Sequence, residues 1–224
     1  MLSDIEIVQM CADIYSDTQA PYWNFYDCGP GDHDICYGIR REGDTDYVIF
    51  RGSKVFLDWF RDGDWWSRPT VDPRLGEIWP GFVVDMDAAW TEIQHHVGAK
   101  VVVGGHSLGA ARASVLAGYM LVDGCKPLAR ICFGEPNTGF PKFCNFVSQV
   151  PGRTYKNFGD LGHDHVTDVP YNIPIIAPYG KPPTKLNVTA TPGGPEIEQL
   201  GFFSYHHINL YVKGMQSYVE GGHA

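Results

Sequence analysis

An α/β fold, with a mostly parallel central sheet and helices on both faces, follows from three features of the sequence. Short runs rich in β-branched residues alternate with stretches whose apolar residues return every three or four positions, the pattern of successive βαβ units. One run, residues 100–104, is almost continuously apolar, as a strand buried on both faces requires. The 224 residues, 44% hydrophobic and 19% charged, supply one core and show no repeat, low-complexity tract or dividing linker. One domain over residues 1–224 is expected.

Each element has its own local reason. In residues 5–15, Ile7, Met10, Cys11 and Ile14 stand at helical spacing behind Ser3 or Asp4 as N-cap. Residues 35–40 and 47–50 are β-rich and flank Glu42-Gly43-Asp44-Thr45, which predicts a hairpin. Between residues 81 and 97, Phe82, Val83, Met86, Ala89, Trp90 and Ile93 mark an amphipathic helix, with His95 and His96 late in it and solvated. An Ala-rich helix over 107–121 is closed by Asp123-Gly124, and Arg112 on it is expected to face out or cap a structural contact. Residues 128–133 and 154–158 are strand candidates around a weak helix at 140–150, and residues 185–189 alternate. A last helix is expected from about 205 to 219.

Charge and cysteine content narrow the function. Acidic residues outnumber basic ones 26 to 17, which disfavours nucleic acid as a partner. The longest apolar run, residues 115–122, is too short for a transmembrane segment. The start lacks a basic stretch followed by an apolar one, so a cytoplasmic or leaderless-exported protein is expected. None of the six cysteines forms a C-x-x-C pair, and no metal or other cofactor is expected. Reduced thiols are expected, with Cys28 and Cys36 paired only in an exported protein; on the same ground the sequon Asn187-Val188-Thr189 is set aside.

The strongest chemical signal is Gly105-His106-Ser107-Leu108-Gly109, lying between an apolar strand and a helix. A serine on such a turn is forced into strained dihedrals, and the residues two positions away must be small or backbones collide. A serine hydroxyl alone is a poor nucleophile, so an acid and then a histidine should follow it in the chain. The downstream histidines are His163, His165, His206, His207 and the tail residue His223, and the acids are Asp160, Asp164 and Asp168. The cluster Asp160, His163, Asp164, His165 and Asp168 has the spacing of neither H-E-x-x-H nor an EF-hand loop.

Taken together these pieces resemble the class 3 lipases, the fungal-lipase-like branch of the α/β-hydrolases, over about residues 35–215. Phe50-Arg51-Gly52-Ser53 is similar to that family's FRG(S/T) segment, Asp58-Trp59 to its lid-region D-W element, and residues 105–109 to its GHSLG elbow. Asp164-His165-Val166-Thr167-Asp168-Val169-Pro170 resembles its acid-bearing segment, and His206-His207-Ile208-Asn209-Leu210-Tyr211 its H-x-x-x-x-Y ending. Trp79-Pro80-Gly81-Phe82 departs from the family's His-x-Gly-Phe.

The resemblance implies a triad of Ser107, Asp164 and His206, with Asp168 and His207 as alternatives, and an oxyanion hole from Ser53 and the backbone N–H of Leu108. It implies hydrolysis of carboxylic esters, including acyl lipids, through an acyl-enzyme, with transient contact at a lipid interface. In the aromatic stretch 55–66, Phe56, Trp59, Phe60, Trp65 and Trp66 form either a lid or acyl-pocket wall, or a fixed packing helix. An acyltransferase or thioesterase would use the same triad, and a non-catalytic binding module the same fold.

Overall fold

The computed structural model describes residues 1–16, 19–28, 35–53, 69–159, 162–170, 174, 178–183, 185–190 and 201–222. The chain opens with helix α1 (Asp4–Asp13), whose N-cap Ser3 and Glu6 form a reciprocal capping box. Strands β1 (Phe25–Cys28), β2 (Cys36–Glu42) and β3 (Thr45–Phe50) run antiparallel. A small hairpin, β4 (Thr70–Asp72) and β5 (Gly76–Ile78), precedes helices α2 (Pro80–Val83) and α3 (Met86–Ile93). Then come β6 (Val101–His106), α4 (Leu108–Val122), β7 (Ala129–Phe133), α5 (Pro141–Val147) and β8 (Gly152–Gly159). The chain continues through β9 (Gly162–His163), β10 (Lys185–Thr189), a 3-10 turn (Gly201–His206) and α6 (Ile208–Glu220).

Among the described residues these strands form an eight-stranded sheet in the order β1-β2-β3-β6-β7-β8-β10, with β9 on β8. From β3 through β10 the neighbours are parallel. Successive side chains alternate faces, so Val101 and Val103 of β6 join one core while Val102 joins the other. The first core packs α2, α3, α4 and α5 against the sheet through Phe82, Met86, Trp90, Leu116 and Phe143. The second packs α1 and α6 through Ile7, Met10, Tyr211 and Met215. The expected parallel sheet covered on both faces is the one observed.

Three local expectations change. The helix expected over 81–97 is broken into α2 and α3 at Val84 and Asp85, where Asp85 takes φ 60°. Phe82 and Met86 still reach the core, so the apolar period persists across an interrupted backbone ladder. The last helix begins only at Ile208, with His207 as its N-cap, so His206 ends the preceding 3-10 turn. Finally, Cys28 and Cys36 are joined in a disulfide, against the expectation of reduced thiols. The sequence reading lacked β1, and β1 places Cys28 directly opposite Cys36, with their Cα atoms 4.1 Å apart.

The sheet is tied to α4 by a buried charge pair. Arg130 on β7 donates to Glu135 at 2.8 Å, to Ser114 of α4 at 3.0 Å and to Thr154 of β8 at 3.0 Å. Both charged side chains are almost fully buried, at 1% and 0% exposure. Removing one partner strands a buried charge, whereas replacing both removes the problem. Glu135→Leu is expected to lose about 3–5 kcal/mol in urea unfolding, and Arg130→Met with Glu135→Leu to regain most of it.

Candidate active site

The turn between β6 and α4 sets the geometry. Ser107 is the N-cap of α4 with φ 61° and ψ −129°, a conformation unfavourable for a residue with a Cβ. A Cβ on Gly105 would lie 2.4 Å from the carbonyl carbon of Gly109, and one on Gly109 would lie 2.2 Å from the Phe50 carbonyl oxygen. Both glycines are therefore demanded by backbone contact. The Ser107 N–H donates to the Phe133 carbonyl at 3.0 Å, pinning the turn to the end of β7. Ser107 is 1% exposed, and its Oγ has no hydrogen-bond partner among the described residues. Leu108 opens the helix, so its N–H points out of the first turn without an intrahelical acceptor.

The histidine and acid come from loops that follow later strands. Nδ1 of His206 lies 2.7 Å from Oδ2 of Asp164, and Asp164 is 0% exposed. That carboxylate also accepts from the Val166 N–H at 2.9 Å and from the Tyr211 hydroxyl, which in turn accepts from the Asn157 N–H at 3.3 Å. Burial and the nearby Asp164 charge push the Tyr211 hydroxyl well above its ordinary value, so it stays a donor. Gly134 approaches closely from the end of β7. A Cβ there would lie 2.9 Å from His206 and 3.0 Å from Asp164. Asn137, in the same loop, donates to the carbonyls of Asp168 and Pro170 at 3.1 and 2.9 Å and holds the acid segment in place.

His106 joins these parts. Its Nε2 lies 2.9 Å from the His206 carbonyl oxygen, which can only accept, so Nε2 carries the proton. Nδ1 then accepts from the Tyr15 hydroxyl at 2.9 Å, and the Tyr15 oxygen accepts from the Gly52 N–H. The His106 and His206 rings stack with centroids 4.6 Å apart. Gly52 is also pressed on the elbow: a Cβ there would lie 2.8 Å from the His106 carbonyl oxygen and 3.0 Å from Ser107 Cβ. One chain of contacts thus runs from α1 through the loop after β3 to the elbow and on to His206.

The structure brings Ser107, Ser53, Leu108, Asp164 and His206 to one end of the sheet. It does not bring the alternatives to His206. Asp168 pairs with Lys156 at 2.8 Å and with His163 at 2.8 Å, and His207 accepts from the Asn209 N–H at the start of α6. His163, His165 and Asp168 do offer ligand atoms within 4.8 Å of one another, although Lys156 already neutralises Asp168. Asp160, Phe56, Trp59, Phe60, Trp65 and Trp66 lie outside the described residues. His96 stacks on Phe25 at 3.8 Å, a contact invisible without β1. Arg112, expected to face out or cap a structural contact, is buried with 6% exposure and forms no ion pair among the described residues. Sequence reasoning gave no role to Tyr15, Gly134 or Asn137; Tyr211 was visible only as the last letter of a motif.

A parallel sheet with a strained serine between strand and helix, followed by an acid and a histidine in later loops, defines the α/β-hydrolase class. Residues 47–173, more than half of the chain, match the family described as Lipase (class 3). The chain belongs to the class 3 lipase family. Over 145 residues it is 36% identical to the secreted mono- and diacylglycerol lipase 1 of Fusarium solani, covering 59% of this chain and 40% of that relative. The match thus spans well under two thirds of the relative's length. The mono- and diacylglycerol lipase structure from Aspergillus oryzae superposes with a TM-score of 0.66 at 19% identity, over 87% of this chain and 83% of that one. A triacylglycerol lipase from Penicillium expansum gives 0.62 at 17% identity, over 84% and 80%. At these identities the two structures speak for the fold.

The Fusarium solani relative is described as secreted, which overturns the expectation of a cytoplasmic or leaderless-exported protein and points to export. A disulfide such as Cys28–Cys36 persists in oxidising compartments, so the ground on which the Asn187 sequon was set aside no longer holds. Among the described residues no helix is long and apolar enough to cross a membrane.

Burial, with His206 adding to it, holds the His106 ionisation well below the ordinary histidine value. In the unfolded chain this ring titrates near 6.5. As pH falls through about 6.5 the unfolded state therefore takes up a proton that the folded state refuses, and stability present above that pH is lost. Urea unfolding is expected to weaken from neutral to mildly acid pH with a contribution of up to about 1.4 kcal/mol per pH unit from this group. His106→Gln should flatten that slope; an unchanged slope would place the acid sensitivity elsewhere.

Proposed function

We propose that this chain is a serine ester hydrolase that cleaves carboxylic esters of acyl lipids, with mono- and diacylglycerols as the substrate class the relatives' names favour. The observation that carries the reading is the coupling of the His206–Asp164 pair to His106, the residue immediately before the strained Ser107. A histidine with its Nδ1–H committed to a buried carboxylate offers Nε2 as the base.

In this reading Ser107 Oγ attacks the ester carbonyl carbon while His206 Nε2 takes its proton. Asp164 holds the imidazole tautomer and stabilises the imidazolium. The tetrahedral oxyanion is met by the N–H of Leu108 and by Ser53, and losing one such donor costs about 3–4 kcal/mol of barrier. The C–O bond then breaks, the leaving alcohol takes the proton from His206, and an acyl ester remains on Ser107. Water, deprotonated by the same histidine, attacks that ester; the bond to Ser107 Oγ breaks as His206 returns the proton to it, and the fatty acid is released. Contact with the lipid interface is transient in this scheme.

Hydrolysis of p-nitrophenyl esters from acetate to palmitate tests it. Ser107→Ala is expected to lower kcat by roughly 10⁴–10⁶-fold and Asp164→Asn by about 10⁴-fold. Asp168→Asn should stay within tenfold of the native chain. A folded native chain that cleaves none of these esters, or a Ser107→Ala variant that cleaves them normally, would overturn the reading, and the preferred chain length separates lipase from short-chain esterase.

A further inference from the structure

Among the described residues two arginines are buried, and only one of them has a counter-charge. Arg130, 1% exposed, is ion-paired with Glu135 and donates through its two Nη atoms to Ser114 and Thr154 as well, while its Nε has no partner among the described residues. Arg112, 6% exposed, has an Nε that is sealed from water without a hydrogen-bond partner. Among the described residues no ion pair includes it. A buried guanidinium without a counter-charge is costly, and the fold supplies one to Arg130 in Glu135.

The surroundings add positive charge. Arg51, half-buried in the loop after β3, also has an Nε sealed without a partner and forms no ion pair among the described residues. The two side chains leave one junction: Gly109, one turn before Arg112, packs so tightly that its Cβ would lie 2.8 Å from the Arg51 carbonyl carbon. Burial, opposed by Asp85 and reinforced by Arg51, pushes the Arg112 ionisation down to about 10. The group stays cationic at neutral pH, and Asp85 attracts it from beyond ion-pair distance. The junction lies about 7.5 Å along α4 from Ser107 and two residues before Ser53.

We propose that Arg112, assisted by Arg51, forms an anion subsite beside the nucleophile helix that takes a phosphate-class oxyanion. The planar guanidinium fork matches two oxygens of a tetrahedral oxyanion, and partial burial strengthens the contact by excluding water. The same chemistry is carried by inorganic phosphate and by the headgroup of an anionic ester lipid. Binding is independent of turnover, so the subsite stands or falls separately from the hydrolase reading.

Thermal unfolding of the full chain, in sodium phosphate against sodium chloride of equal ionic strength, tests the free anion. Short-chain phosphatidic acid below its micelle concentration, added to the Ser107→Ala variant, tests the lipid headgroup. A saturable rise in Tm over the chloride control is expected in at least one arm, and the arm with the lower half-saturation names the occupant. Arg112→Met should abolish the rise. Should that variant not fold, Arg112→Lys and Arg51→Met are each expected to weaken half-saturation at least tenfold. No rise in either arm, or a rise that survives these substitutions, would overturn the proposal.

Discussion

The packing of bare backbone at the Ser107 turn is the constraint on which the rest of the molecule depends. For Ser107 to stand at φ 61° at the end of β6, α4 must start almost on top of that strand and against the end of β3. Gly105 and Gly109 meet each other, and Gly109 meets the Phe50 and Arg51 backbone, at distances that leave no room for a methyl group. The strain of one positive-φ serine, of order 1–3 kcal/mol, is held by the parallel pairing of β6 with β3 and β7 and by the Ser107–Phe133 bond. The alanine content of α4 has the same origin, since a helix buried on nearly every side needs small residues against the sheet.

A second layer of organisation is polar and buried. His106 cannot be replaced by an apolar side chain of similar size without orphaning the His206 carbonyl and the Tyr15 hydroxyl. Its neutral form is enforced by burial, and its tautomer by a carbonyl that can only accept. The ring is thereby a fixed strut between α1, the loop after β3 and the turn that carries His206. Helix α1 lies outside the stretch that matches the family, yet Tyr15 just beyond it touches the centre of the site.

What was legible in the sequence was whatever is local. The elbow is five consecutive residues between a strand and a helix, so its glycines and serine could be read directly. The mostly parallel sheet and its two covered faces followed from periodicity, because the central strands β3, β6, β7 and β8 each carry their own apolar residues. What depends on partners distant in sequence was not legible. Strand β1 is short and half-buried, and without it neither the disulfide nor the Phe25–His96 stack is visible. The break at Asp85 is hidden because Phe82 and Met86 keep helical spacing across it. Whether Arg112 faces out or is buried was not legible, because charge alone carries no record of what packs over it.

The choice between the two aspartates shows what the three-dimensional arrangement adds. Asp164 and Asp168 lie four residues apart around one 3-10 turn, and spacing from the histidines does not separate them. Their surroundings do. Asp168 is 40% exposed and its charge is met by Lys156 and His163, so its field is largely spent on those partners and on solvent. Asp164 is sealed, with one oxygen accepting from His206 and Tyr211 and the other from the Val166 N–H. Neutral donors stabilise a carboxylate without cancelling its charge, and in a water-excluded site that charge acts on the nearest group able to become positive. That group is the His206 ring. A cation as near to Asp164 as Lys156 is to Asp168 would hold the carboxylate in place equally well and leave nothing to stabilise an imidazolium.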